Sequence, residues 1–220
     1  MMNESIATVL IALTVCCTEG CRRASDDVKS TLGRPVTIAC GDVRGGEGYF
    51  GVPPDRDAAS LSIVSETLSL MKEPSLACVG QWDEVYRLSW VPSISLSTHR
   101  ASIRVVRQSD EYNVSATVLG RPSQEDAWRV ESRLDRRLDR LEWDRFHAAV
   151  ARLDLWHRPT IPIGSPVTQA ETDGGSNVVE GQMNKFYHLT LLTAGAGKED
   201  ADATVREFEH LAHLDLDALN

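Results

Sequence analysis

Apolar positions along the middle of the chain switch between two spacings. Over residues 57–72, Leu61, Val64, Leu68 and Met71 fall three or four apart, which predicts one helical face stopping before Pro74. Val36, Ile38 and Cys40 alternate in RPVTIAC, and Tyr86, Leu88 and Trp90 alternate in DEVYRLSW, so both read as strands. ASIRVVR (101–107) and EYNVSATVL (111–119) are β-branched runs joined by Gln108, Ser109 and Asp110. They predict a hairpin with Tyr112, Val114, Ala116 and Val118 on one side. WRVESRLDRRL (128–138) fits either period: Trp128 and Val130 suit a strand, while Val130, Leu134 and Leu138 suit a helix.

The last third of the chain follows the same logic. Asp139 and Glu142 have capping-box spacing ahead of Trp143, Phe146, Val150 and Leu153, a helical stripe that should end near Trp156. NVVEGQ and KFYHLTLL form a second hairpin turning near Met183 and Asn184. A final helix over residues 202–213 buries Val205, Phe208, Leu211 and Ala212. Strand pairs followed by helices, without βαβ alternation, specify an α+β fold. The expected architecture is an antiparallel β-sheet built from hairpins with about three helices packed over one face.

The N-terminus has a different character. Residues 6–17 (IATVLIALTVCC) form an apolar run broken only by two threonines. A bilayer needs about twenty apolar residues, so this run suits the core of a secretory signal. Thr18 and Gly20 put small residues at −3 and −1 of a cut before Cys21, a position that could carry a lipid. MMNES lacks Lys or Arg and Glu19 is acidic, so an apolar strand or helix of the domain is the alternative. The expected division is a signal peptide at 1–20, of lipoprotein type if Cys21 is acylated, a polar tether at 21–34 and one α+β domain at 35–220. The protein would then be periplasmic, or anchored to the membrane through Cys21. Cys40 and Cys78 remain in an oxidising compartment, where two lone cysteines most simply pair.

Charge narrows the partners. The formal net charge of −9 argues against nucleic acid or an anionic membrane as the main surface contacted, leaving membrane association to the N-terminal lipid. The glycine-rich stretch GDVRGGEG (41–48) lacks the Gly-Lys-Ser/Thr ending of a P-loop and the GxGxxG spacing, so it reads as a surface loop. There is no CxxC, which excludes zinc-ribbon, thioredoxin-like and c-haem readings. No cofactor is implied.

YRLSW (86–90), ASIRVVR (101–107), LEWDRFHAAVARLDLW (141–156), DGGSNVVEG (173–181) and KFYHLTLL (185–192) carry a resemblance. Over roughly residues 83–215 the chain resembles a group of uncharacterised bacterial exported proteins. Their C-terminal half reads Trp-helix-Phe/Leu-Trp, then Asp-Gly-x-x-Trp-x-x-Glu-Gly, then Tyr-His, then a terminal helix. Asp173, Gly174, Glu180, Gly181, Tyr187 and His188 match that pattern, and Asn177 stands where it has tryptophan. The resemblance implies fold and location, and no activity comes with it.

Two residues of that motif are the candidate chemistry. A three-residue turn would place Glu180 directly across from His188, and a carboxylate bonding an imidazole makes it a better base. Tyr187, Leu189 and Leu191 would then point into the core, toward the helix carrying Trp143, Phe146 and Val150. Asp173, Gly174 and Gly175 would form the turn that starts the hairpin. No GxSxG serine accompanies the pair. His210 and His213 are three apart, not the four of HExxH, and read as solvated residues at a helix end, so no metal site is expected. Trp143 and Trp156 could line an aromatic groove, but at helical spacing they read as core. The expected function is non-enzymatic, a binding or structural role in the cell envelope with partner unknown. The alternative is a small hydrolase or ligand-binding enzyme using Glu180 and His188.

Overall fold

The computed structural model describes residues 58–77, 82–92, 97–158, 176–184, 186–192 and 198–219. All lie within one compact unit, Pro35–Asn220. The signal and tether (1–34), Cys21, the Cys40–Cys78 pair, the strand at 35–40, the loop at 41–48 and the Asp173–Gly175 turn lie outside the described residues.

In chain order the elements are α1 (Ala58–Met71), β1 (Glu84–Val91), β2 (His99–Gln108), β3 (Glu111–Gly120), β4 (Arg129–Arg137), α2 (Arg140–Leu153), β5 (Ser176–Met183), β6 (Phe186–Leu192), α3 (Lys198–Ala212) and a 3₁₀ turn (Asp217–Leu219). The strands form one antiparallel sheet ordered β4-β3-β2-β1-β5-β6. The fold is α+β, as the periodicities predict.

Both hairpins close through short turns. Gln108 pairs with Glu111, leaving Ser109 and Asp110 as the connection, and Ser109 takes a positive φ of 56°. A positive φ here is what lets a two-residue turn follow the right-handed twist of its strands. Met183 pairs with Phe186, so the second turn also has two residues, with Asn184 at φ 50°. Asparagine tolerates this left-handed conformation better than most side chains. The residues at 129–137 are a strand, so their helical reading fails. β4 is an exposed, heavily charged edge, and such side chains discourage pairing with another chain.

The expected single helical layer is corrected: helices cover both faces. On one face Tyr86, Leu88, Trp90, Ile103, Val105, Ala116 and Val118 pack with Trp143, Phe146 and Val150 of α2 and with Phe208 and Leu211 of α3. On the other, Val91, Val178, Leu189 and Leu191 pack with Val64 and Leu68 of α1, with Tyr187 partly buried beside them. The predicted docking of Tyr187, Leu189 and Leu191 against α2 is therefore wrong, because those residues meet α1. The cause lies in β1, a central strand whose eight residues are all buried, so both of its faces need cover.

Local chemistry fixes α2 in register. The Asp139 side chain accepts from the Glu142 backbone N–H at 2.8 Å, and Glu142 Oε2 accepts from Asp139 N–H at 2.9 Å, completing the capping box. Arg136 of β4 donates to Glu142 as well, holding that carboxyl below its usual range. The helix ends on Asp154, left-handed at φ 54°. Thr204 Oγ1 donates to the Ala149 carbonyl at 3.2 Å, joining α3 to α2 across a buried contact.

Candidate functional site

Glu180 sits at the middle of β5, opposite Arg87 on β1 and Leu189 on β6. That parity turns its side chain toward α1. Arg87 Nη2 and Nε donate to Glu180 Oε2 at 2.6 and 2.8 Å, and the Tyr187 hydroxyl donates to Oε1 at 2.8 Å. Arg87 Nη1 donates to the Pro74 carbonyl at 2.8 Å and lies 3.9 Å from Glu73, whose carboxylate also takes Arg104. The Arg87 and Glu180 side chains are 0% exposed, so the pair meets no solvent. Both carboxylate oxygens are satisfied, which is the condition for a buried ion pair to be tolerated. Chemically the arrangement is a fastener: it ties β1, β5, β6 and the segment after α1 to one another.

His188 lies on the opposite face of the same hairpin, across from Gly181. Glu180 and His188 therefore do not meet, correcting the expected pair. The turn is one residue shorter than that pairing required, and a one-residue change of register exchanges the faces of a strand. The half-buried His188 ring places Nε2 2.8 Å from the Arg158 carbonyl, so Nε2 carries the proton it donates. Burial lowers its pKa, the hydrogen bond to Arg158 opposes this, and His157 adds to the lowering.

A folded-state pKa below the ordinary imidazole value, about 6.5, has a definite consequence. The unfolded chain takes the proton first, so stability falls as pH drops through about 6.5 and stops falling below the folded value. His188→Gln keeps a donor for Arg158 without a titrating ring. Urea midpoints of the wild type should fall between pH 7.5 and 5 more than those of His188→Gln, since this variant lacks the term.

Gly181 explains the second half of the Glu-Gly pair. A Cβ built there would lie 2.8 Å from Leu155 Cδ2 and 3.1 Å from the Tyr86 ring. The residues beyond the end of α2 reach the sheet because this position carries no side chain. Gly181→Ala should destabilise by about 1–3 kcal/mol through overpacking, measured by urea unfolding.

A third cluster escaped the sequence reading. Glu84, at the start of β1 and 3% exposed, is met by three side chains. The Tyr86 hydroxyl donates to Oε1 at 2.6 Å, and Arg107 Nε and Nη2 reach Oε2 at 3.0 and 2.9 Å. His147 Nε2 of α2 stands 3.1 Å from Oε1. His147 stacks on Trp143 with ring centres 5.7 Å apart and meets the Tyr86 ring edge-on. Burial, then the Glu84 charge, pushes the Tyr86 hydroxyl's pKa up, so it stays protonated and donates. The arrangement orients an imidazole whose side chain is 46% exposed. The signal available in the sequence was the parity of Glu84 and Tyr86. His147, one helical turn after Trp143, becomes a partner only once α2 is laid on the sheet.

The remaining candidates fall as follows. His210 and His213 are exposed at the end of α3. Trp143 is buried in the core, and Trp156 packs partly buried beside it, 6.4 Å from Tyr86. Among the described residues no group of three His, Cys, Asp or Glu side chains is placed to hold a metal ion, and no helix is long and apolar enough to cross a membrane. Comparison of the chain with protein-family models and with curated proteins finds no match.

Proposed function

We propose that this is an exported bacterial cell-envelope protein whose α+β domain acts by binding a partner or as a structural element, without catalysis. The observation that carries the non-catalytic part is the placement of Glu180: fully buried, bonded to Arg87 and Tyr187, and turned away from His188. The motif residues that stood out for chemistry thus serve the interior of the domain. Export is supported by the apolar run at 6–17 and by Thr18 and Gly20 ahead of Cys21. On this reading residues 1–20 leave as a signal, Cys21 carries a lipid, and Cys40 and Cys78 form a disulfide. The resemblance to bacterial exported proteins over residues 83–215 belongs to the same proposal.

Mass spectrometry of the native protein tests the location: the expected species starts at Cys21 with a diacylglyceryl mass, and an intact Met1 overturns export. Capture of partners by the mature chain from its own envelope tests the role, against the same chain carrying charge reversals on its exposed face. A second reading has one observation in its favour, the Glu84–His147 pair, which holds two parts of a general base. Turnover of an ester panel by the wild type and its loss in His147→Ala would establish that reading instead.

A further inference from the structure

At the far end of the α1-covered face two arginines share one aromatic ring. Arg100 near the start of β2 places its guanidinium carbon 4.3 Å from the centre of the Trp128 ring, and Arg121 after β3 places its own 4.5 Å away. The two cations are no farther apart than those distances laid end to end. Arg100 is only 7% exposed, and among the described residues its side chain donates from Nη1 to Thr67 Oγ1 of α1, at 2.8 Å, a hydroxyl that itself donates to the Ile63 carbonyl. Arg121 spends Nη1 on the Gln124 carbonyl and Nη2 on the Ser97 carbonyl, while its Nε is buried with no partner among the described residues.

Neither guanidinium has a carboxylate partner among the described residues. Two acids of this region are engaged with other groups: Glu131 pairs with His99 at 3.1 Å, and Asp126 accepts from Ser123. Burial lowers the Arg100 pKa, the Glu66 charge opposes this, and Arg121 adds to the lowering. Buried charges in proteins are ordinarily paired, and a chain with net charge −9 has acids to spare. Two adjacent cations without a counter-ion are what a compact oxyanion recognises. Guanidinium groups match the tetrahedral oxygens of phosphate better than a lysine would, through paired N–H donors.

We propose that Arg100 and Arg121, braced by Trp128, form a binding site for a phosphate group, free or as a monoester. This goes beyond the envelope-binding role and stands whether or not a protein partner is found. Stacking on Trp128 holds the two guanidinium planes in place before the anion arrives, which limits the ordering cost of binding.

The test uses the folded full chain at low ionic strength, with inorganic phosphate and phenyl phosphate as probes and chloride at matched ionic strength as control. Phosphate at millimolar concentration should raise the melting temperature and change tryptophan fluorescence, and chloride should do neither. A response to inorganic phosphate alone marks a free-ion site, and a stronger one to phenyl phosphate marks a monoester site. Arg121→Gln should weaken phosphate at least tenfold, since it removes one of two charged partners. Arg129→Gln, an exposed neighbour on β4, should leave binding unchanged. Trp128→Phe should remove the fluorescence change and retain the thermal shift. The proposal is overturned by no response to either phosphate, by an equal response to chloride, or by wild-type affinity in Arg121→Gln. Arg100→Gln is the stronger variant, but its site is buried, so Arg121→Gln decides the matter if that chain fails to fold.

Discussion

Arg87→Met is expected to destabilise the domain by about 3–5 kcal/mol, because it leaves the Glu180 carboxylate buried without its counter-charge. Glu180→Leu should cost less, because Glu73, 3.9 Å from Nη1, and the Pro74 carbonyl still face the guanidinium. The double variant removes both charges, so its cost should fall well short of the sum of the singles. It will not fall to zero, because the hydrogen bonds from the Tyr187 hydroxyl and to the Pro74 carbonyl are then lost as well. Urea unfolding of the four proteins gives the coupling directly. A double variant whose loss equals the sum would mean that the two side chains do not interact in solution, and the fastener would be refuted. A hydrolase reading of Glu180 makes the opposite demand, since removing a solvent-facing catalytic carboxylate would leave stability nearly intact.

The legible part of this fold is what one element carries by itself. The three-four spacing of α1 and α2, the alternation in β2 and β3, and the Asp139–Glu142 capping box all lie within short windows, and each forms as the pattern predicts. What could not be read depends on distance between elements. The β5–β6 turn offers Asn184 but no glycine to announce its length, and one residue of difference moved His188 to the other face from Glu180. Helices on both faces were hidden for a related reason. Arg87 and Ser89 look like the solvated side of β1, yet both are 0% exposed; Glu180 and the segment after α1 satisfy the arginine, while the Ser89 hydroxyl has no hydrogen-bond partner among the described residues. Glu84 and His147 illustrate the same limit, since nothing near either residue in the chain names the other. Gly181 carried the opposite lesson. A glycine within a strand signals close approach, and the structure supplies the neighbours, Leu155 and Tyr86.

Phe146→Ala should destabilise the domain by about 3–5 kcal/mol, the range for emptying a buried aromatic site. Phe146 is 0% exposed and stands where three elements converge. Its ring meets Phe208 of α3 edge-on at 4.9 Å, Tyr86 of β1 at 5.7 Å and Trp143 of its own helix at 6.1 Å. Such edge-on contacts add about 0.5–1.5 kcal/mol beyond the buried area. Phe146→Ala/Phe208→Ala should therefore be less damaging than its singles summed, because each single already forfeits their shared contact. Leu141→Ala, on the same helix but 77% exposed, should change stability by no more than about 0.5 kcal/mol and serves as the control. Thermal or urea unfolding separates the outcomes. Near-equal losses for Phe146→Ala and Leu141→Ala would mean that α2 does not lie on the sheet, and the Glu84–His147 contact would fall with it.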